Sequence, residues 1–142
     1  MKATLFADGG SRGNPGPAAS GAVLFSAAGE VLAEVGLYLG IATNNVAEWT
    51  ALIEGLKRAA ELGIDEIAIR MDSQLVVRQV TGEYRVKHAD MIPLATKAKQ
   101  LLRGFKHFEI AHVPRKENAA PDAVVNAVLD AAAQRRKDGI AE

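Results

Sequence analysis

The sequence predicts an α/β domain: a mixed five-stranded sheet, with three strands in a meander followed by parallel strands, and helices packed on both faces. Two observations carry this expectation. Residues 2–39 hold three apolar, strand-like segments separated only by turn residues. Beyond them the apolar spacing changes to three and four residues, and helical segments then alternate with short strands.

The elements follow in order. Lys2–Ala7 alternates apolar and polar residues and reads as a strand. Ser20–Ser26 and Val31–Leu39 form a hairpin around the turn Ala28-Gly29. Val46, Trp49, Ile53, Leu56 and Ala60 make the apolar stripe of a helix, which Gly63 ends. Glu66–Met71 is a short strand, and Ser73–Val80 is a helix stopped near Gly82. Met91–Arg103 is a helix with Lys97, Lys99 and Arg103 on its polar side. Phe105–His112 is the last strand. Pro121–Arg136 is the last helix, with Val124, Val128 and Ala131 expected as its buried face. Residues 1–136 are read as one domain and residues 137–142 as a polar tail expected to fray.

The 142 residues suffice for one core, and 24% of them are charged, an ordinary globular proportion. Without cysteine there is no disulfide framework and no thiolate metal site. No basic leader with an apolar core precedes the first strand, and no apolar run is long enough to span a bilayer. The expectation is a cytoplasmic monomer with no membrane partner. Net charge is zero, but it is unevenly spread. Residues 78–116 hold nine Lys/Arg and three Asp/Glu, whereas residues 1–77 hold five and nine. Phosphate binding needs a local cationic surface rather than a high overall pI, although such a block also suits a solvated helix face.

Four acids stand at element boundaries. Asp8 ends the first strand, Asp72 ends Glu66–Met71, Glu48 lies in the first turn of the Val46 helix, and Asp122 opens the last helix. Each has a purely structural reading: an Asx turn at Asp8, an Asn45–Glu48 capping box, an N-cap at Asp72, and a helix-dipole contact at Asp122 behind Pro121. Together they are expected to open onto one sheet edge, where open α/β sheets bind ligands. Several carboxylates repel one another unless cations neutralise them. Oxygen ligands without Cys or a His cluster point to Mg²⁺, or Mn²⁺ as the alternative, rather than zinc. Two such ions about 3.5–4 Å apart serve in-line attack on a phosphodiester.

The stretch LFADGGSRGNPGP, Leu5 to Pro17, places glycines directly after Asp8. Gly9 and Gly10 would let a backbone approach closely, with amides free for a ligand, and Asn14 offers an amide to a sugar or base edge.

The blocks ADGGSRGNPGPAASG, TNNVAEWTALIEGL, MDSQLVV and HVPRKENAAPDAVVN, in this order, resemble type 1 ribonuclease H over essentially the whole chain. The resemblance implies a ribonuclease H-like fold. It also implies an endoribonuclease that cleaves the RNA strand of RNA–DNA hybrids with two Mg²⁺ ions, leaving 3′-hydroxyl and 5′-phosphate ends. Asp8, Glu48, Asp72 and Asp122 match the metal-holding, catalytic acids. Asn14, Asn44, Asn45 and Gln74 match substrate contacts in the minor groove, and Thr43 matches a grip on a DNA-strand phosphate. A hybrid's wide minor groove displays 2′-hydroxyls, which an amide side chain can meet as donor or acceptor.

The chain departs from the family pattern in two places. The Val80–Met91 region is too short for the basic, aromatic helix that some members carry, so either the grip on substrate is weaker or Tyr84, Arg85 and Lys87 supply it. An assisting histidine before the last acid maps to His112, with Arg115, farther into the loop, preferred as the mobile group. Two further readings stand beside the nuclease: a catalytically silent hybrid-binding module, and the nuclease domain of a larger replication or repair protein.

Overall fold

The computed structural model describes residues 1–139. Its elements are β1 (Lys2–Ser11), β2 (Gly16–Ser26), β3 (Val31–Ala42), α1 (Asn44–Glu61), β4 (Glu66–Met71), α2 (Gln74–Thr81), α3 (Ile92–Arg103), β5 (His107–His112), a 3-10 turn (Arg115–Asn118) and α4 (Ala119–Lys137). The sheet order is β3-β2-β1-β4-β5. β1–β2 and β2–β3 are antiparallel, whereas β1–β4 and β4–β5 are parallel. This is the meander followed by parallel strands that the sequence predicts.

The strands of the meander are longer than expected. β1 does not stop at Ala7 but continues through Asp8, Gly9 and Gly10, because β2 begins at Gly16 and keeps pairing with it. Asp8 therefore lies within a strand, opposite Gly21, and makes no Asx turn. α4 runs through Lys137, one residue past the expected domain boundary. Of the expected tail, residues 140–142 lie outside the described residues.

Strand parity divides the core. Leu5, Ala7, Ile67, Ile69, Met71, Ala22 and Leu24 face α1, which buries Trp49, Leu52, Ile53 and Leu56 against them. α3 closes this layer with Ala95, Ala98 and Leu102. In the last turn of α1 the buried residue is Ala59, not Ala60, which is exposed. The opposite face carries α4 over β2 and β3, with Val125 and Leu129 on Ala19. The α4 stripe is rotated from expectation. Val125, Leu129 and Ala132 are buried, Val124 and Val128 are half-buried, and Ala131 is exposed. The reason is local: Gly21 and Gly36 present no side chain, so Val124 and Val128 lie on bare backbone at the helix flank.

Two glycines bring both helices onto the sheet beside Asp8. A Cβ on Gly9 would lie 2.2 Å from the carbonyl carbon of Ala47 in α1. A Cβ on Gly21, the register partner of Asp8, would lie 2.6 Å from the Pro121 oxygen in α4. The space beside Gly9 is thus filled by helix α1 rather than held open for a ligand. Ser20 adds a tie on the α1 side, its hydroxyl donating to the Ala47 carbonyl at 2.7 Å.

Candidate active site

The parallel pairing of β1 with β4 ends at Ala7–Met71, while β1 continues alongside β2 to Ser11. The sheet therefore splits just beyond Ala7. β4 turns away through Asp72 and Ser73 into α2. Such a split between neighbouring strands is where open α/β sheets form ligand crevices. Asp8 points to the face opposite Leu5 and Ala7, and Glu48 comes from α1 on the other face. They meet at the split.

Carboxylate oxygens of Asp8, Glu48 and Asp72 all lie within 4.8 Å of one another. Asp122 stands outside this three-way convergence but lines the same cleft, of about 660 Å³. Asp8 is 7% exposed and Glu48 9%. Burial, then the charges of Asp72 and Asp122, raise the Asp8 carboxyl to about 7. Burial, then the charges of Asp8 and Asp72, raise Glu48 to about 9. The backbone N–H of Gly9 works against the rise at Glu48, and the neighbouring Asp8 carboxyl adds to it.

The structural readings of Asp8, Glu48 and Asp72 fail, and that of Asp122 stands. Thr43, not Asn45, caps α1, accepting from Val46 N at 3.3 Å, so Glu48 lies in the second turn and no capping box forms. Ser73, not Asp72, caps α2, accepting from Val76 N at 3.3 Å. Asp122 does lie in the first turn of α4, with Pro121 as the third helical residue rather than the first.

This donor set fits hard divalent cations. It holds only carboxylate oxygens, and the Glu48 Oε2 is buried without a hydrogen-bond partner. Among the described residues, no Lys, Arg or His forms an ion pair with any of the four acids. Without a cation, close carboxylates in such a site relieve their repulsion only by keeping protons.

Of the other expected residues, Gly9, Gly10, Asn44, Asn45, His112 and Arg115 line the cleft. Asn44 also ties the fold, its Oδ1 accepting from Ser11 N at 2.8 Å. Asn14 does not line the cleft; its Oδ1 accepts from Asn44 N at 3.1 Å, which clasps the loop to α1. Thr43 serves as the α1 cap, and Gln74 is exposed at the start of α2, beyond the cleft lining. Tyr84 is engaged by Arg78, whose guanidinium donates to its hydroxyl at 2.7 Å and lies 5.3 Å from its ring centre.

Sequence reasoning missed two amides. Asn126 lines the cleft and donates to Asp122 Oδ2 at 3.3 Å, an i, i+4 spacing readable from the sequence. Asn118 is fully buried and donates to the Ala7 carbonyl at 2.9 Å and to Asp72 Oδ1 at 3.4 Å. Only its position before a helix signalled it, and that position suggests a cap.

Comparison with known proteins identifies the family. A family model described as reverse transcriptase-like matches residues 6–128. The bifunctional protein Rv2228c of Mycobacterium tuberculosis is 49% identical over 135 residues, covering 94% of this chain and 37% of that protein. Its N-terminal RNase H domain superposes with a TM-score of 0.92 at 47% identity, covering 96% of this chain and 99% of that one. Ribonuclease HI of Halobacterium salinarum is 49% identical over 125 residues, covering 88% of this chain and 63% of the relative. The crystal structure of RNase H1 from that archaeon has a TM-score of 0.89 at 47% identity, covering 92% of this chain and 98% of that one. LC11-RNase H1, solved in complex with an RNA/DNA hybrid, has a TM-score of 0.87 at 38% identity, covering 92% and 98%. The chain thus spans little more than a third of Rv2228c and under two thirds of the Halobacterium protein. On the matched length, the shared fold and the sequence identity, the chain belongs to the ribonuclease H family of nucleases.

Proposed function

We propose that this chain is a metal-dependent endoribonuclease that hydrolyses the RNA strand of RNA–DNA hybrids, leaving 3′-hydroxyl and 5′-phosphate ends. The observation that carries the reading is the convergence of Asp8, Glu48 and Asp72 at the split between β1 and β4. LC11-RNase H1, which shares the fold, has been captured with an RNA/DNA hybrid. Two Mg²⁺ ions, or Mn²⁺, would be held by these three acids and by Asp8 with Asp122, and would supply charge for the attacking and leaving oxygens.

The chain's own groups do the rest. Asp8 and Glu48, held on separate elements, set the floor against which a scissile phosphate rests. Asn45, exposed on the first turn of α1, presents an amide at the cleft mouth for a 2′-hydroxyl. Asn44 keeps its Nδ2 for the same purpose while its Oδ1 holds Ser11. The Thr43 hydroxyl accepts from α1 and keeps its own proton for a DNA-strand phosphate. On the opposite wall His112 and Arg115 face the cleft, able to move a proton or neutralise phosphate charge. Contacts of this kind are tolerant of sequence and sensitive to salt.

The test is cleavage of a labelled hybrid by the chain with Mg²⁺, with chelator, and as Asp8→Asn. Cleavage by the unaltered chain with metal alone is expected. Tight binding without cleavage would leave a hybrid-binding module instead. A second reading, the nuclease domain of a longer protein, is favoured by the 37% share of Rv2228c that the chain spans. The proposal includes a cytoplasmic monomer, checked by cell fractionation and analytical ultracentrifugation. Among the described residues no helix is long and apolar enough to cross a membrane.

A further inference from the structure

We infer that Asn118 is a positioning residue: its amide replaces the missing rung where β1 and β4 part, and so fixes Asp72 against Asp8. The inference rests on the reading of the acid cluster as a cation site.

Asn118 occupies the N-cap position of α4, where an Asn side chain ordinarily accepts from the first helical amides. Here it makes no capping bond. Its amide is turned inward and is 0% exposed. One N–H reaches the carbonyl of Ala7, the last β1 residue paired with β4. Asp72, the first residue beyond that pairing, takes the second contact at 3.4 Å. Both neighbours are acceptors, so the amide orientation is set by its surroundings: Nδ2 must face them.

The cost of the arrangement is visible. Asn118 Oδ1 is buried without a partner, and an orphaned acceptor of this kind is destabilising. A side chain that served only the helix would cap it and satisfy that oxygen. The opposite edge of the same strand end is already held, with Val113 N donating to the Met71 carbonyl at 2.9 Å. Asn118 thus completes a two-sided clamp on the tip of β4. Partners that orient metal-holding carboxylates are worth ten- to a hundredfold in affinity or rate.

The experiment compares Asn118→Ala with the unaltered chain and with Leu102→Ala, a core truncation on α3 away from the cleft. Mn²⁺ binding is measured by calorimetry, hybrid cleavage by kcat and KM, and folding by thermal melting. Asn118→Ala is expected to weaken Mn²⁺ binding about ten- to a hundredfold and to lower kcat similarly, with KM for hybrid within about twofold. Leu102→Ala is expected to lose stability and keep both Mn²⁺ affinity and kcat. Loss of stability alone in Asn118→Ala overturns the inference. Should that variant not fold, the side-chain amide of Asn118 is followed by NMR in the unaltered protein. Its two N–H signals are expected to shift on adding Mg²⁺, and static signals through saturation also overturn it. If the unaltered chain binds Mn²⁺ but cleaves no hybrid, the nuclease reading falls, and the Mn²⁺ affinity of Asn118→Ala still decides the clamp.

Discussion

At the floor of the cleft, Asp8 and Glu48 are almost wholly buried and sit under two helices pressed onto glycine. At its rim, Asn45, His112 and Arg115 stand exposed on a helix start, a strand end and a loop turn. The floor is a fixed concentration of acidic groups, and its geometry is enforced by packing on both faces of the sheet. The rim is a set of separate side chains that water already solvates. A cation bound at the floor meets ligands that need little reorganisation, whereas a polymer at the rim gains several small, replaceable contacts. Changes at the floor should therefore be severe and coupled to folding, and changes at the rim mild and confined to binding.

Asp8→Asn is the largest expected effect. Hybrid cleavage falls to background, because an amide cannot balance a divalent ion, while melting in chelator at pH 8 moves upward as repulsion is relieved. Measurable turnover by this variant would break the comparison at its root. Gly9→Ala comes next. The new Cβ meets Ala47 backbone, which cannot yield without moving α1, so stability falls by about 3 kcal/mol. Gly21→Ala presses α4 at the Pro121 oxygen and displaces Asp122 instead. Urea melts and metal titration of the two variants show which acid is disturbed.

The pH dependence sharpens the contrast. Asp8 and Glu48 are raised to about 7 and about 9 in the fold, so the native state binds more protons than the unfolded chain above pH 4. Their contribution is complete below the ordinary carboxylate value and is lost as pH rises through 7 and 9. In chelator the melting temperature should fall between pH 5 and pH 9. Asp8→Asn should shrink that fall, and Arg115→Ala should leave it. A flat profile for the unaltered chain would mean that the floor holds no trapped protons. The smallest effect is at Asn45→Ala, about fivefold weaker binding of hybrid with less change for duplex DNA, read by fluorescence anisotropy. Equal loss on both would remove the 2′-hydroxyl role.

Much of this was legible before folding. The meander, the switch to helical period and the four acids are local patterns, and local backbone preference follows directly from them. Element ends were less legible. β1 runs past Ala7 because β2 continues to pair with it, and residues 8–11 alone do not encode that partner. The close approach of α1 to Gly9 was hidden for a similar reason. A glycine beside an acid suits either a ligand or a helix, and only the position of α1 decides. Asn118 was invisible because its partners lie 111 and 46 residues away.

The sequence by itself determined the order of elements, the chemical type of the site and the absence of sulfur ligands. These depend on residue identity and short-range periodicity. Tertiary structure alone decided that Asp8, Glu48 and Asp72 meet, that Asp122 lines the same cleft outside that three-way convergence, and that Asn118 turns away from its helix. These depend on where the sheet splits and how closely two helices approach it, and both are set by packing between residues far apart in the chain.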